Sequence, residues 1–209
     1  TRQIYDRKQY IEQVRNSFKD SGIVRKNSYE METGSGEREP KSYFKVRLEN
    51  GETVYYLGER RTLTIIREQR TRAKVKCVLD RLIMWVPYEA DYEYKRSQLE
   101  KWYRREALLV ITQKAEEYAR IIGVHFEDIR IKDQKSRWGS CSSKGNLNFN
   151  WRIFMAPEPV CDYVIIHELC HLVFMDHSFN FWNLVQRICP EYKQYKKWLR
   201  DNAGQLYLF

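Results

Sequence analysis

The sequence lacks the features that define several large classes of protein. No apolar run approaches the ~18–20 residues that a membrane-spanning helix needs. The N-terminal segment is polar and charged, so we expect no secretory signal. The five cysteines are odd in number and form no C-x-x-C pair, which argues against a disulfide framework. These absences predict a protein of the reducing cytoplasm that does not enter a membrane.

Acidic residues are outnumbered, since 28 Asp and Glu face 37 Lys and Arg for a net charge of +9. The isoelectric point is about 9.3. The basic residues crowd two stretches: Arg60, Arg61, Arg67, Arg70, Arg72, Lys74 and Lys76, and then Lys95, Arg96, Lys101, Arg104 and Arg105. Such a field attracts polyanions, so nucleic acid or nucleotide phosphates are candidate partners. The alternative is a set of solvated strand and helix faces.

The first half of the chain reads as a short helix followed by strands. Residues 1–20 have helical spacing of apolar positions, and residues 27–42 are rich in polar, Gly and Pro positions typical of a linker. Strands are predicted at residues 43–48, 53–57, 62–67, 75–79 and 82–86. Residues 49–52, Glu-Asn-Gly-Glu, predict a hairpin turn between the first two strands.

The second half is predicted to be mainly helical. A long helix fills residues 94–122 and stops at Gly123. Strands follow at about 129–132 and through Leu147 and Phe149, and a further helix begins near Pro157. The pattern predicts an α+β fold with an N-terminal helix and linker (1–42), a β-rich subdomain (43–92) and a C-terminal domain (93–209).

A short motif contains the candidate residues for metal binding and catalysis. Residues 164–175 form an apolar helical run interrupted by His167, Glu168 and His171. Burying such groups unpaired costs roughly 2–7 kcal/mol each, and a metal ion would offset that cost. Residues four apart share one face of a helix, so His167 and His171 can hold one zinc ion with Glu168 as general base. The alternative is a buried helix with hydrogen-bonded core histidines.

A catalytic zinc keeps three protein ligands and one open position. His177 is the favoured third ligand, because its spacing lets the helix end near Met175 and the chain return to the ion. Glu191, 23 residues after Glu168, is the alternative. A metzincin site is excluded, because Phe174 occupies the required glycine position and no methionine follows His177.

The last 75 or so residues closely resemble the YgjP-like metallopeptidase family, and the N-terminal half resembles it more loosely. The matching segments lie at 137–142 (Arg-Trp-Gly-Ser-Cys-Ser), 145–151, 155–157, 167–172, 177–178, 181–182, 189–190 and 198–199. The resemblance implies a zincin-like core related to SprT-like and Wss1-like proteases, with an active-site helix packed on a small sheet. It also implies His167, His171 and His177 as zinc ligands and Glu168 as base.

These observations predict a zinc-dependent peptidase with one zinc ion per chain, acting on proteins or peptides. Arg137 and Trp138, in a loop just before a strand, are predicted to bind substrate, as are Asn148 and Asn150 on that strand. Zincins pair such a strand with an extended substrate. Because some members of the family carry a UTP pyrophosphatase label, that activity is the first alternative. A DNA-associated protease or nucleic-acid-binding module is the second.

Overall fold

The computed structural model of the protein describes residues 46–134 and 136–207, all within one compact unit. The helix predicted at 1–20 and the linker at 27–42 lie outside the described residues. The described residues form two small sheets and four α-helices, so the predicted α+β class is confirmed. The division into subdomains 43–92 and 93–209 stays a prediction. No helix in the described ranges combines the length and apolar character that a membrane crossing requires.

The first sheet has four strands in the order β1-β2-β4-β3. They are β1 (Thr53–Tyr56), β2 (Glu59–Arg67), β3 (Lys74–Val78) and β4 (Arg81–Val86). Strands β2 and β4 run parallel, whereas β1 and β3 are antiparallel to their neighbours. The sheet buries Leu63, Leu82, Met84 and Val86 on one face, as expected from the alternation of side chains along a strand.

The strand predicted at 43–48 is wrong where it can be tested, because residues 46–48 form no strand. Leu48 adopts a left-handed backbone (φ +58°), which a strand cannot continue. Its carbonyl oxygen accepts a hydrogen bond of 2.7 Å from the buried ammonium group of Lys95. Its amide also donates to the Glu52 carboxylate at 3.1 Å, so one non-local and one local contact hold Leu48. Residues 43–45 lie outside the described ranges.

Helix α1 (Tyr92–Ile122) agrees closely with the predicted segment. The Asp91 side chain accepts a hydrogen bond from the Tyr94 amide and caps its first turn. Gly123, with φ +75°, ends it and donates to the Ala119 carbonyl at 2.8 Å. The buried side of the helix is a stripe at helical spacing: Leu99, Trp102, Tyr103, Ala107, Ile111, Ala115, Ala119 and Ile122.

The second sheet has three strands in the order β5-β7-β6, so the last strand in sequence is the central one. They are β5 (Asp128–Lys132), β6 (Gly139–Cys141) and β7 (Asn146–Asn150). Strand β7 pairs in parallel with β5 and antiparallel with β6. Leu147 and Phe149 of β7 are fully buried. Strand β6 therefore forms one edge of this sheet.

A 3₁₀ turn (Trp151–Met155) connects this sheet to helix α2 (Glu158–Cys170), which begins after Pro157 as predicted. Helices α3 (Phe179–Ile188) and α4 (Tyr192–Asn202) and a final 3₁₀ turn (Ala203–Leu206) follow. Helix α2 ends at Cys170, earlier than the end predicted near Met175. The next amides bond three residues back, from Leu172 to Leu169 and from Val173 to Cys170, which tightens the chain into turns.

The β1–β2 turn packs against the start of α2. The Leu57 amide donates to the Phe154 carbonyl at 3.0 Å. Gly58 has φ +79°, and a Cβ atom at this position would lie 2.5 Å from the Cα atom of Pro157. Glycine is therefore required here for two reasons, the left-handed backbone and the close approach of two main chains.

We expect Gly58→Ala to destabilise the protein more than Gly51→Ala. Gly51 also has a left-handed backbone (φ +88°), but a Cβ atom added there would meet no other atom within 4 Å. Gly51→Ala should thus cost only the backbone strain, about 1–2 kcal/mol. Gly58→Ala should cost roughly 1–3 kcal/mol more, because the methyl group overlaps Pro157. Urea unfolding of both variants measures the difference, and equal costs would contradict the importance of this contact.

A candidate metal centre at the end of helix α2

The predicted zinc ligands come from one helix end and the loop that follows it. His167 and Glu168 lie in the last turn of α2, and His171 lies immediately after the helix. The rings of His167 and His171 are 4.9 Å apart between centroids, as the spacing of four residues predicts. His177 lies just before α3 and returns to the same place, with its ring 5.0 Å from that of His167.

The three imidazoles have the geometry of a metal site. One nitrogen from each of His167, His171 and His177 lies within 4.8 Å of the others. The Nε2 atoms of His167 and His177 are 3.1 Å apart. Tetrahedral zinc with Zn–N bonds of about 2.0–2.1 Å places its nitrogens about 3.3 Å apart, so this donor set fits zinc. Glu191, the alternative third ligand, lies at the start of α4 and is not part of this group.

The histidines are held neutral, which is the form that binds metals. Burial, followed by the charges of His171 and His177, lowers the pKa of His167 to about 3. Burial also lowers the pKa values of His171 and His177. The Nδ1 atom of His171 lies 3.1 Å from the Phe174 carbonyl oxygen, which can only accept. The proton of His171 is therefore on Nδ1, and its Nε2 lone pair is available to a metal.

Phe181 packs against all three ligand rings. Its centroid lies 4.9 Å from that of His167, 4.5 Å from that of His171 and 4.9 Å from that of His177. Trp182 stacks on His177 at 5.6 Å and 23°. The sequence pattern indicated Trp182 as part of one helix face, and both residues belong to the segments that carry the family resemblance. Their position four and five residues after the third histidine was the available signal for a role in holding the ligands.

Glu168 follows His167 in the last turn of α2, and the residue is only 5% exposed. Burial raises its pKa to about 8, and the positive charge of Arg137 opposes that rise. Arg137, predicted to bind substrate, is itself exposed and lies within electrostatic reach of Glu168. The backbone of Gly139 also lies against the Glu168 side chain, a contact that was not predicted from the sequence.

The other predicted substrate-binding residues lie around strands β6 and β7. The Trp138 carbonyl accepts from the Asn150 amide, and the Trp138 ring lies 6.1 Å from that of Tyr207. The Asn148 side chain donates to the hydroxyl of Ser140 at 3.2 Å. Asn150 is fully buried and uses its side chain within the protein. Substrate binding by Arg137, Trp138, Asn148 and Asn150 stays a prediction.

Comparison with known proteins gives one family and two partial structural likenesses. The family model described as YgjP-like, metallopeptidase domain, matches residues 7–202. The metallopeptidase zymogen of Pyrococcus abyssi abylysin is 25% identical over 45% of this chain and 93% of its own, with a TM-score of 0.41. The zymogen of Methanocaldococcus jannaschii jannalysin is 23% identical over 42% and 93%, with a TM-score of 0.36. No curated protein matches the sequence.

We expect His177→Ala to weaken zinc binding by at least about 100-fold. Removing a group that only orients a metal ligand lowers metal affinity by about 10–100-fold. Removing a ligand itself should therefore lower the affinity by at least about 100-fold. Glu191→Ala, the matched control, should keep the wild-type affinity because Glu191 lies outside the histidine group. Competition with a chromogenic zinc chelator measures both affinities. Normal binding in His177→Ala together with loss in Glu191→Ala would reassign the third ligand.

Proposed function

The chain belongs to the YgjP-like metallopeptidase family, and from this premise we propose that it cleaves peptide bonds at one zinc ion. In this proposal His167, His171 and His177 hold the ion, and Glu168 is the general base. Family membership makes the chain a metal-dependent hydrolase of the metallopeptidase class, whose substrates are proteins or peptides. The ligand set, the base and the number of ions are the proposed details.

The convergence of three neutral imidazoles carries the proposal, and the buried Glu168 directly follows the first of them in the helix. Zinc bound there would supply Lewis acidity, which lowers the pKa of a water ligand to about 7 and polarises a carbonyl group. Glu168 would accept the proton of the attacking water and pass it to the leaving amine. Burial raises the pKa of Glu168, and a nearby positive charge, such as Arg137 or a bound zinc ion, would favour the ionised form that a general base requires.

Strand β6 offers a place for an extended substrate. The strand at 145–150 was expected from the sequence to border the cleft, but β7 lies between β5 and β6 and has both edges paired. Strand β6 is one of the two edge strands of this sheet, the other being β5, and its first residue, Gly139, contacts Glu168. We therefore propose that a peptide pairs with the edge of β6, which would bring a scissile bond next to the base.

The two alternative functions stay predictions, and the structure gives the basic stretch another use. The guanidinium group of Arg67 donates to the carbonyls of Tyr88 and Ala90. Arg70 forms an ion pair with Glu68 at 2.7 Å. Arg67 therefore supports the loop between β4 and α1, and Arg70 forms its ion pair within the loop after β2. Neither a UTP pyrophosphatase nor a nucleic-acid-binding activity is favoured by an observed contact.

We also propose a cytoplasmic location, on the state of the cysteines. Cys77, Cys141, Cys161, Cys170 and Cys189 are all free thiols. Three of them, Cys161, Cys170 and Cys189, are buried. Cys170 thus packs in the core between the two helix ligands. Thiols that take part in no disulfide suit a reducing compartment.

We expect Glu168→Gln to lower the hydrolysis of dye-labelled, unfolded casein by about 10²–10⁴-fold, the usual contribution of a positioned base. Zinc content should not change, because Glu168 is not a proposed ligand. Glu158→Gln is the matched control on the same helix, since Glu158 is half exposed and pairs with Lys114 instead. A Glu168→Gln enzyme with near wild-type activity would remove this residue from the mechanism.

A further inference from the structure

The backbone of strand β6 touches the side chain of Glu168 at a residue that has no room for a side chain. A Cβ atom at Gly139 would lie 2.6 Å from Oε1, 2.7 Å from Cγ and 2.9 Å from Cδ of Glu168. Gly139 is not among the glycines with a left-handed backbone, so the described conformation is open to any residue. Glycine is needed here for space alone.

Neither partner can move away easily. Gly139 is paired with the fully buried Phe149 of the central strand, which fixes the position of β6. Glu168 extends from a helix whose neighbouring residues Ile165 and Leu169 are fully buried. Rotation of the carboxylate alone would not relieve the overlap with a Cβ atom at position 139. The Cγ atom of Glu168 would lie about as close to that Cβ atom as Oε1 does. The main chain of β6 therefore forms one side of the space that the Glu168 side chain occupies.

We infer that Gly139 is a positioning residue that sets the location of the Glu168 carboxylate. Any side chain at position 139 would displace the Glu168 carboxylate from its observed position. A shift of about 1 Å in a reacting group can cost about 100-fold in rate. The inference rests on the proposed function only for the consequence in catalysis. The contact itself is a feature of the fold and can be tested without a substrate.

The experiment is a double-mutant cycle of Gly139→Ala and Glu168→Ala, read out by thermal unfolding of the zinc-loaded protein. Glu168→Ala removes Cγ, Cδ and Oε1, the three atoms that the new methyl group would meet. Gly139→Ala should therefore lower Tm in the wild-type background and have a smaller effect, or none, in the Glu168→Ala background. An equal drop in both backgrounds overturns the inference.

Kinetics on dye-labelled casein complete the test. Gly139→Ala should lower kcat by about 100-fold with little change in KM and no loss of zinc. A wild-type kcat would overturn the positioning role, and lost zinc would show that position 139 acts through the ligands instead. If Glu168→Gln itself stays active, the proposed base is wrong. A difference between the two backgrounds in the effect of Gly139→Ala on Tm would still show the contact between Gly139 and Glu168.

A cation, Lys196, lies near His177, the third proposed zinc ligand. The ammonium group of the exposed Lys196, on α4, lies 4.5 Å from the ring centroid of Trp182, which stacks on His177. Its positive charge contributes to the lowered pKa values of His167 and His177. Among the described residues no carboxylate pairs with Lys196.

The next residue on this helix, Lys197, does pair with a carboxylate. Lys197 lies 3.7 Å from the carboxylate of Asp201 and forms an ion pair with it. Lys196 instead rests on an aromatic ring that touches the metal site, where a cation attracts anions. On a peptide the anions are carboxylates. We propose that Lys196 is a specificity-determining residue that binds a substrate carboxylate close to the scissile bond, within the proposed peptidase function.

The test compares pairs of peptides copied from the casein site that the enzyme cuts fastest, and each pair carries Asp or Asn at one position flanking the scissile bond. At one of these positions the wild type should prefer Asp by up to about fivefold in kcat/KM, the size expected for an exposed ion pair. Lys196→Gln should lose the preference, and Lys197→Gln, the matched control, should keep it. High salt should also weaken it.

A preference for Asp that survives in Lys196→Gln overturns this proposal, and so does a wild type with no preference at any flanking position. Cleavage of the Asn peptides at a similar rate by wild type and Lys196→Gln would show that the peptidase itself is intact. Failure to cleave any of the peptides, or casein, would count against the proposed function and not against the role of Lys196 alone.

Discussion

The rest of the structure depends on how helix α2 is buried while it carries polar groups at both ends. At its start, Lys114 of α1 pairs with Glu158 at 2.6 Å and with Asp162 at 2.9 Å. Burial alone would lower the pKa of Lys114, but these two carboxylates hold it above its ordinary value. Polar groups taken out of water must find such partners, since leaving them unpaired costs several kcal/mol. The C-terminal end of the helix has no comparable ion pair for its histidines among the described residues, and a metal ion would be the corresponding partner there.

Close packing around the same helix fixes its position relative to both sheets. Gly58 of the β1–β2 turn lies against Pro157 at the start of α2, and Gly139 of β6 lies against Glu168 near its end. In both places the absence of a side chain lets main chain approach the helix more closely than any other residue would permit. Phe181 adds to this packing by contacting all three ligand rings. The ligands and the base are thus positioned by contacts from three different parts of the chain.

Local patterns predicted the parts of the fold that local chemistry determines. The spacing of His167 and His171, the start of α2 after Pro157 and the end of α1 at Gly123 all follow from the geometry of a helix and its termini. The order of strands in the second sheet could not be read in this way. Strand β7 has the alternation of a half-buried strand, and nothing within 146–150 shows that β6 will cover one of its edges.

Non-local contacts also explain the other departures from the sequence-based predictions. Leu48 continues an apolar alternation that is typical of a strand, yet Lys95, far away in the sequence, binds its carbonyl and stabilises a left-handed backbone. The same holds for Gly139, whose importance comes from a side chain in another element. A glycine between a tryptophan and a serine has no pattern of its own that would indicate a contact with Glu168. Such residues become visible only when the distances between elements are known.

The net positive charge illustrates why composition is a weak guide to partners. Arg152 is buried between the rings of Trp151 and Tyr207, at 4.4 Å and 4.8 Å from their centroids, and pairs with Asp133. Arg104 pairs with Glu100 and also reaches the second sheet. Several arginines are thus used to join elements of the fold, as a planar, permanently charged group that stacks on aromatic rings is suited to do. What distinguishes a cation available to a ligand is its position beside the site and the absence of an acidic partner, and both properties come from the fold.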